Sequence, residues 1–141
     1  MPKASGLIST AFALFFFAIG AVAQVNSQAE AQDVITRQLE AFLSGNFDEA
    51  YSYASPDIKR IYPSLEGFMS MVKRGYLPVL RPGNYAFGRT EQLADGRLVW
   101  EVLIRAPDGS DHTAVYFMER QEDGTWKVDG VSLRRGAAGM T

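Results

Sequence analysis

Cysteine is missing from this chain altogether, and histidine occurs once, at His112. The first absence excludes disulfides, cysteine-based zinc sites, a thiol nucleophile and lipid attachment through an N-terminal cysteine, so the core must hold by packing alone. The second excludes multi-histidine metal sites and leaves any histidine-dependent triad or dyad to run through His112. A strong net charge is also lacking. With 14 basic residues against 16 acidic ones there is no basic stripe of the kind nucleic-acid binding needs, so no nucleic-acid partner is expected. No internal repeat, low-complexity tract or second domain boundary divides the 141 residues, a length that fits one domain.

What is there begins with an address. Lys3 gives a short positive start, residues 7–19 are almost wholly apolar around Phe15, Phe16 and Phe17, and Ala21-Val22-Ala23 is an A-x-A cleavage pattern. Residues 1–23 are therefore expected to be a signal peptide removed before Gln24, leaving a soluble periplasmic protein with no stable membrane association. The alternative is a retained N-terminal membrane anchor, because the apolar run approaches the roughly 20 residues a spanning helix needs. One domain over residues 24–134 should follow, with residues 135–141 as a flexible Gly-Ala-rich tail beginning near Arg134-Arg135.

The first half of that domain reads as helices. Ser27 with Glu30 forms a capping box, and Ile35, Leu39, Phe42 and Leu43 then share one face until Gly45. Asn46 with Glu49 opens a short second helix, Ser55-Pro56 a third running to Tyr62, and Ser64 a fourth ending at Gly75 with Lys73-Arg74 complementing its dipole. The stretch Leu77-Pro78-Val79-Leu80-Arg81-Pro82-Gly83 is too rich in proline for a central strand and reads as an edge segment or connector.

The second half is organised by three Asp-Gly pairs, Asp95-Gly96, Asp108-Gly109 and Asp123-Gly124, each between alternating apolar runs. Such pairs take up positive φ cheaply and predict hairpins, hence a four-stranded antiparallel meander from Tyr85 to Leu133. Three-residue loops, Ala94-Asp95-Gly96, Pro107-Asp108-Gly109 and Glu122-Asp123-Gly124, fix the register. Trp100 then falls opposite Thr90 and Tyr116, Val102 opposite Gly88 and Ala114, and Ile104 opposite Ala86 and His112. Met118 faces Leu98 and Val128, and Arg120 faces Trp126. This is the face for the helices to cover. The other face collects the pairs Arg89 with Glu101 and Glu119 with Arg97 and Lys127, but also Phe87, Val99, Leu103, Val115, Phe117, Val131 and Leu133, enough apolar surface to suit a homodimer.

Chemistry is sparse on the covered face. Glu101, Glu119 and Asp129 all point away from it, so a tyrosine there has no carboxylate base to work with. Tyr53, Tyr76, Trp100, Tyr116 and Trp126 either line an aromatic pocket or form plain core. Arg81 and Arg120 either meet an anionic ligand at a cavity mouth or are simply solvated. His112 follows the Pro107-Asp108-Gly109 turn and reads as a polar residue near a sheet edge, with Asp111 on the opposite face. The candidate ligand-binding set is Tyr53, Tyr76, Arg81, Trp100, His112 and Tyr116. No catalytic residue, metal or cofactor is assigned.

The order of helices before a meander ending in Gly124-Thr125-Trp126-Lys127-Val128 resembles the nuclear transport factor 2-like superfamily. Several stretches are similar to bacterial domain-of-unknown-function family 4864: Ile35 to Phe42, Tyr53-Ala54-Ser55-Pro56, Met71 to Tyr76, Arg81-Pro82 and Tyr116 to Trp126. The resemblance implies an α+β cone, N-terminal helices packed on a curved antiparallel meander of four or more strands with a cavity between them, and often an export signal. It brings no activity. Three readings follow: a non-catalytic exported module for a small ligand of unknown identity, a small isomerase or hydrolase using His112 and a tyrosine, or a dimerising subunit of an envelope complex.

Overall fold

The computed structural model describes residues 9–137, with side chains from Gly20 onward. The charged start of the expected signal segment, with Lys3, and residues 138–141 of the expected tail lie outside the described residues. Helix α1 runs unbroken from Ser9 to Leu43. The Ser27–Glu30 capping box therefore starts no helix. No proline interrupts this stretch, and an uninterrupted backbone ladder outweighs a local cap. Ala31, Ile35, Leu39 and Phe42 form its buried stripe, whereas Leu43 in the last turn is exposed, contrary to its expected place on that stripe. Each fully buried aliphatic side chain is worth roughly 1.5 to 3 kcal/mol relative to exposure.

Three short helices follow, each with the expected cap. Asn46 accepts from the Glu49 amide at the start of α2 (Phe47–Ser52), Ser55 from Ile58 at α3 (Pro56–Ile61), and Ser64 from Gly67 at α4 (Leu65–Gly75). The proline-rich connector is a correction. Leu77–Leu80 forms a one-turn helix, α5, in which Pro78 occupies the first turn, where a missing N–H costs nothing. No helix among the described residues is long and apolar enough to cross a membrane.

The four strands β1 (Asn84–Gln92), β2 (Leu98–Arg105), β3 (Asp111–Arg120) and β4 (Trp126–Arg135) make one antiparallel sheet in chain order. All three loops are the expected three-residue ones. Gly96, Gly109 and Gly124 have φ of 91°, 88° and 88°, and Leu93 bonds Arg97, Ala106 bonds Ser110 and Gln121 bonds Thr125 across them. The β2–β3 register is as counted, from Leu98 opposite Met118 to Ile104 opposite His112.

The pairs next to the other two loops also hold, Trp100 with Thr90, Met118 with Val128 and Arg120 with Trp126, but two β-bulges correct those beyond them. Between Phe87 and Thr90 strand β1 carries one extra residue, so Val102 lies opposite Phe87 and Ile104 opposite Tyr85, not Gly88 and Ala86. In β4 Asp129 is the extra residue, so Tyr116 lies opposite Val131 and Ala114 opposite Leu133. An extra residue swaps the faces of everything beyond it. Phe87, Val131 and Leu133 thus leave the outer face and pack against the core, with the Phe87 ring edge-on to Trp100 at 5.4 Å. The broad outer apolar face that suited a homodimer shrinks to Val99, Leu103, Val115 and Phe117, and Arg97 lies over the Phe117 ring. The expected tail also begins later, for Arg134 and Arg135 are strand residues and the Gly136 amide still bonds Asp111.

The helices cover the inner face. Tyr53 and Ser55 extend the sheet by two backbone bonds to Val128, a parallel bridge through Ala54. Ser55, fully buried, also donates to Asp129 at 2.7 Å, tying the start of α3 to the β4 bulge.

Candidate functional site

Between α3, α4 and the middle of β4 the cover is incomplete. A hollow of about 240 Å³ remains there, walled by Phe42, Ile58, Phe68, Met71, Val79 and Val131 among others, with the exposed Ile61 at its rim. Its polar groups are few, and three of them are occupied. The buried Gln38 amide donates to the Ala50 carbonyl at 3.0 Å, the Tyr76 hydroxyl donates to the Val131 carbonyl at 3.1 Å, and Tyr62 offers a carbonyl already taken by the Tyr51 hydroxyl. Neither a carboxylate nor the histidine is among its lining residues. Such a lining holds an apolar molecule by shape and desolvation and offers no carboxylate or imidazole for acid–base work.

The six candidate residues do not converge on this hollow. Tyr76 lines it. Tyr116 is wholly buried in the core with its hydroxyl unpartnered among the described residues, and burial raises its pKa. Trp100 is nearly closed off, its indole N–H donating to the Gln28 carbonyl. Tyr53 points to the surface near Glu49 at 3.3 Å, and its pKa is raised by desolvation first and by Glu49 second. Arg81 and His112 lie together in a different hollow at the far end of the sheet. Tyr85, absent from the candidate set, shares the inner row with Ile104 and His112, and its hydroxyl donates to Glu40 at 2.7 Å. Desolvation, then that carboxylate, push it up to about 12.

The histidine is not placed to activate a nucleophile. Ser110 donates its hydroxyl proton to Asp108 at 2.6 Å and lies 2.9 Å from His112 Nε2, so the imidazole donates to the serine rather than taking its proton. The strand carboxylates are equally engaged. Glu101 faces Arg89 at 3.4 Å and Arg134 at 3.5 Å on the outer face, and Asp129 is held by Ser55 and faces Arg97 at 3.6 Å. Neither comes to the Tyr116 hydroxyl.

Two features escaped the sequence reading. The hollow's wall draws on α1, α3, α4, α5 and β4, and no local pattern joins residues so far apart. An acidic trio, Asp57, Glu119 and Asp129, brings carboxylate oxygens within 4.8 Å of one another. Its charge is met by Arg60 on Asp57, the Gln121 amide on Glu119, and Ser55 with Arg97 on Asp129.

A solved structure from Catenulispora acidiphila, 17% identical, is similar to this chain with a TM-score of 0.55, covering 80% of this chain and 94% of its own. That likeness shows the fold, helices set on a four-stranded antiparallel sheet. No curated protein matches the chain. Residues 24–141 match the family described as a domain of unknown function (DUF4864), and the chain belongs to that family.

Proposed function

We propose that this protein is an exported, non-catalytic binding module that encloses a small apolar ligand between α3, α4 and β4. The observation that carries this reading is the composition of the hollow: apolar walls, few polar groups, and no carboxylate or histidine lining it. At about 240 Å³ it falls just below the roughly 300 Å³ at which drug-sized pockets begin. It therefore suits a single ring or a short acyl chain. The cone of helices over a bulged sheet supports kinship with the nuclear transport factor 2-like superfamily. Export is supported by the apolar run and A-x-A pattern, and by a family match that begins at residue 24, where the cleaved chain would start.

One mass-spectrometric experiment on protein recovered from the periplasm tests both halves. The intact mass should correspond to a chain starting at Gln24, and organic extraction should release a small apolar molecule. The same extraction from a Val131→Phe variant, in which a ring fills the hollow, should release none while the fold persists. An uncleaved mass in the membrane fraction would overturn the export reading. Equal yields of the molecule from both proteins would overturn the hollow as its site.

A further inference from the structure

We propose a second binding site, for a small organic carboxylate, in the hollow between α5 and the β2–β3 loop, where Arg81, Arg135 and His112 converge. This hollow, of about 370 Å³, shares no lining residue with the apolar one.

The cations are the first reason. Among the described residues Arg37, Arg60, Arg89, Arg97, Arg105 and Arg134 each lie within ion-pair distance of a carboxylate. Arg74, Arg81, Arg120 and Arg135 have no such partner, and of these Arg81 and Arg135 line the same hollow. Arg135 stands directly opposite His112 in the β3–β4 register, while Arg81 closes the C-terminal end of α5. Two guanidinium groups on one hollow match the planar, two-oxygen geometry of a carboxylate.

The second reason is the competing acid. Asp108 is the only carboxylate lining the hollow, and it is turned back into its own loop, accepting from the Ser110 amide at 2.9 Å and the Ser110 hydroxyl at 2.6 Å. Ser110 is the first cause of its lowered pKa and Arg135 the last, and no ion pair joins it to either arginine among the described residues. The third reason is the opposite wall, Leu77, Pro78 and Pro107, of which Leu77 is 54% exposed. An inorganic anion leaves that wall wet, whereas an organic body covers it.

The site is also held in place. Gly83 donates to the Arg105 carbonyl at 2.9 Å, and a Cβ at Gly83 would lie 2.9 Å from that same oxygen. Only glycine allows this approach, which fixes the connection two residues beyond Arg81 against the end of β2.

Because the chain has a single histidine, its imidazole Hε1 resonance needs no assignment, and since His112 also borders a hollow beside Tyr85 and Arg105, the Arg81 and Arg135 variants fix which hollow is read. Purified mature protein is titrated at constant pH and ionic strength with sodium benzoate, sodium acetate and sodium chloride in turn. Benzoate should shift the His112 resonance saturably, acetate should need higher concentration, and chloride should leave it in place. Arg81→Ser and Arg135→Ser, both at exposed positions, should keep the thermal midpoint and each weaken benzoate roughly tenfold, the scale of one charged hydrogen bond. A shift that stays linear in benzoate, or unchanged affinity in both variants, would overturn the site.

Discussion

Trp126→Ala is expected to lower the thermal midpoint by roughly 10 to 20 °C, corresponding to about 3 to 5 kcal/mol for a chain of this size. Trp126 opens β4 directly after the Asp123-Gly124 turn, opposite Arg120, and its ring is 5% exposed within the core cluster. A hollow walled by Gln24, Ser27, Leu98 and Arg120 adjoins it, but the ring itself is packed, so truncation forfeits transfer energy and leaves a void. The buried indole Nε1 finds no hydrogen-bond partner among the described residues. That orphan distinguishes two variants. Trp126→Phe keeps a ring and removes an unsatisfied donor, so it should cost far less than alanine. Chemical and thermal denaturation of both measure this. Near-equal midpoints for wild type and Trp126→Ala would mean the ring stands in an already open cavity.

The second large effect is expected at Ser55. Its hydroxyl accepts the Ile58 amide at 3.2 Å and donates to Asp129 at 2.7 Å, while its own amide bonds the Val128 carbonyl. Alanine there removes a helix cap, worth about 1 kcal/mol, and a hydrogen bond to a charged group, worth about 1.5 to 3 kcal/mol, for a total of about 2.5 to 4 kcal/mol. The Asp129 side chain is only 13% exposed, so water replaces the lost donor poorly. Ser55→Thr keeps both bonds and should restore most of the loss. A double-mutant cycle with Asp129→Asn should give a clear coupling energy. Strict additivity would show that the cap acts alone and that the tie between α3 and the β4 bulge is idle.

The sequence was most legible where one residue decides the local geometry. Asp-Gly pairs set three loops, and the Asp108-Gly109 loop set the β2–β3 register without any tertiary knowledge. Caps at Asn46, Ser55 and Ser64 were equally local. The two bulges were missed, although each carried a signal: Gly88 and Gly130 interrupt their strands beside the extra residue, a place where glycine marks a bulge. Reading them would have moved Phe87, Val131 and Leu133 to the core. Proline misled at α5, since Pro78 excludes a central strand but favours a helical first turn. The candidate site was legible only as a composition of aromatics, because burial decides which of them face a hollow. Trp100 and Tyr116 are core, and only Tyr76 reaches the apolar cavity.

The three hairpin loops also bear on how this protein ages. Among aspartyl dipeptides Asp-Gly is the most open to cyclisation, in which the glycine nitrogen attacks the aspartyl side chain with loss of water and the ring reopens to an isomerised backbone. That attack needs a protonated or otherwise activated carboxyl and a free glycine amide. Here Asp95, Asp108 and Asp123 each accept a backbone N–H two residues on, and hydrogen bonds to Arg97, Ser110 and Thr125 hold all three carboxyls below their ordinary range. The three glycine amides are engaged by the carbonyls of Leu93, Ala106 and Gln121. The depressed values favour the folded state at neutral pH, and this contribution fades as acid protonates the loops. Isoaspartate, measured by peptide mapping after storage, should accumulate in unfolded chains and spare folded ones. The turns that direct the meander thus also protect its most fragile bonds.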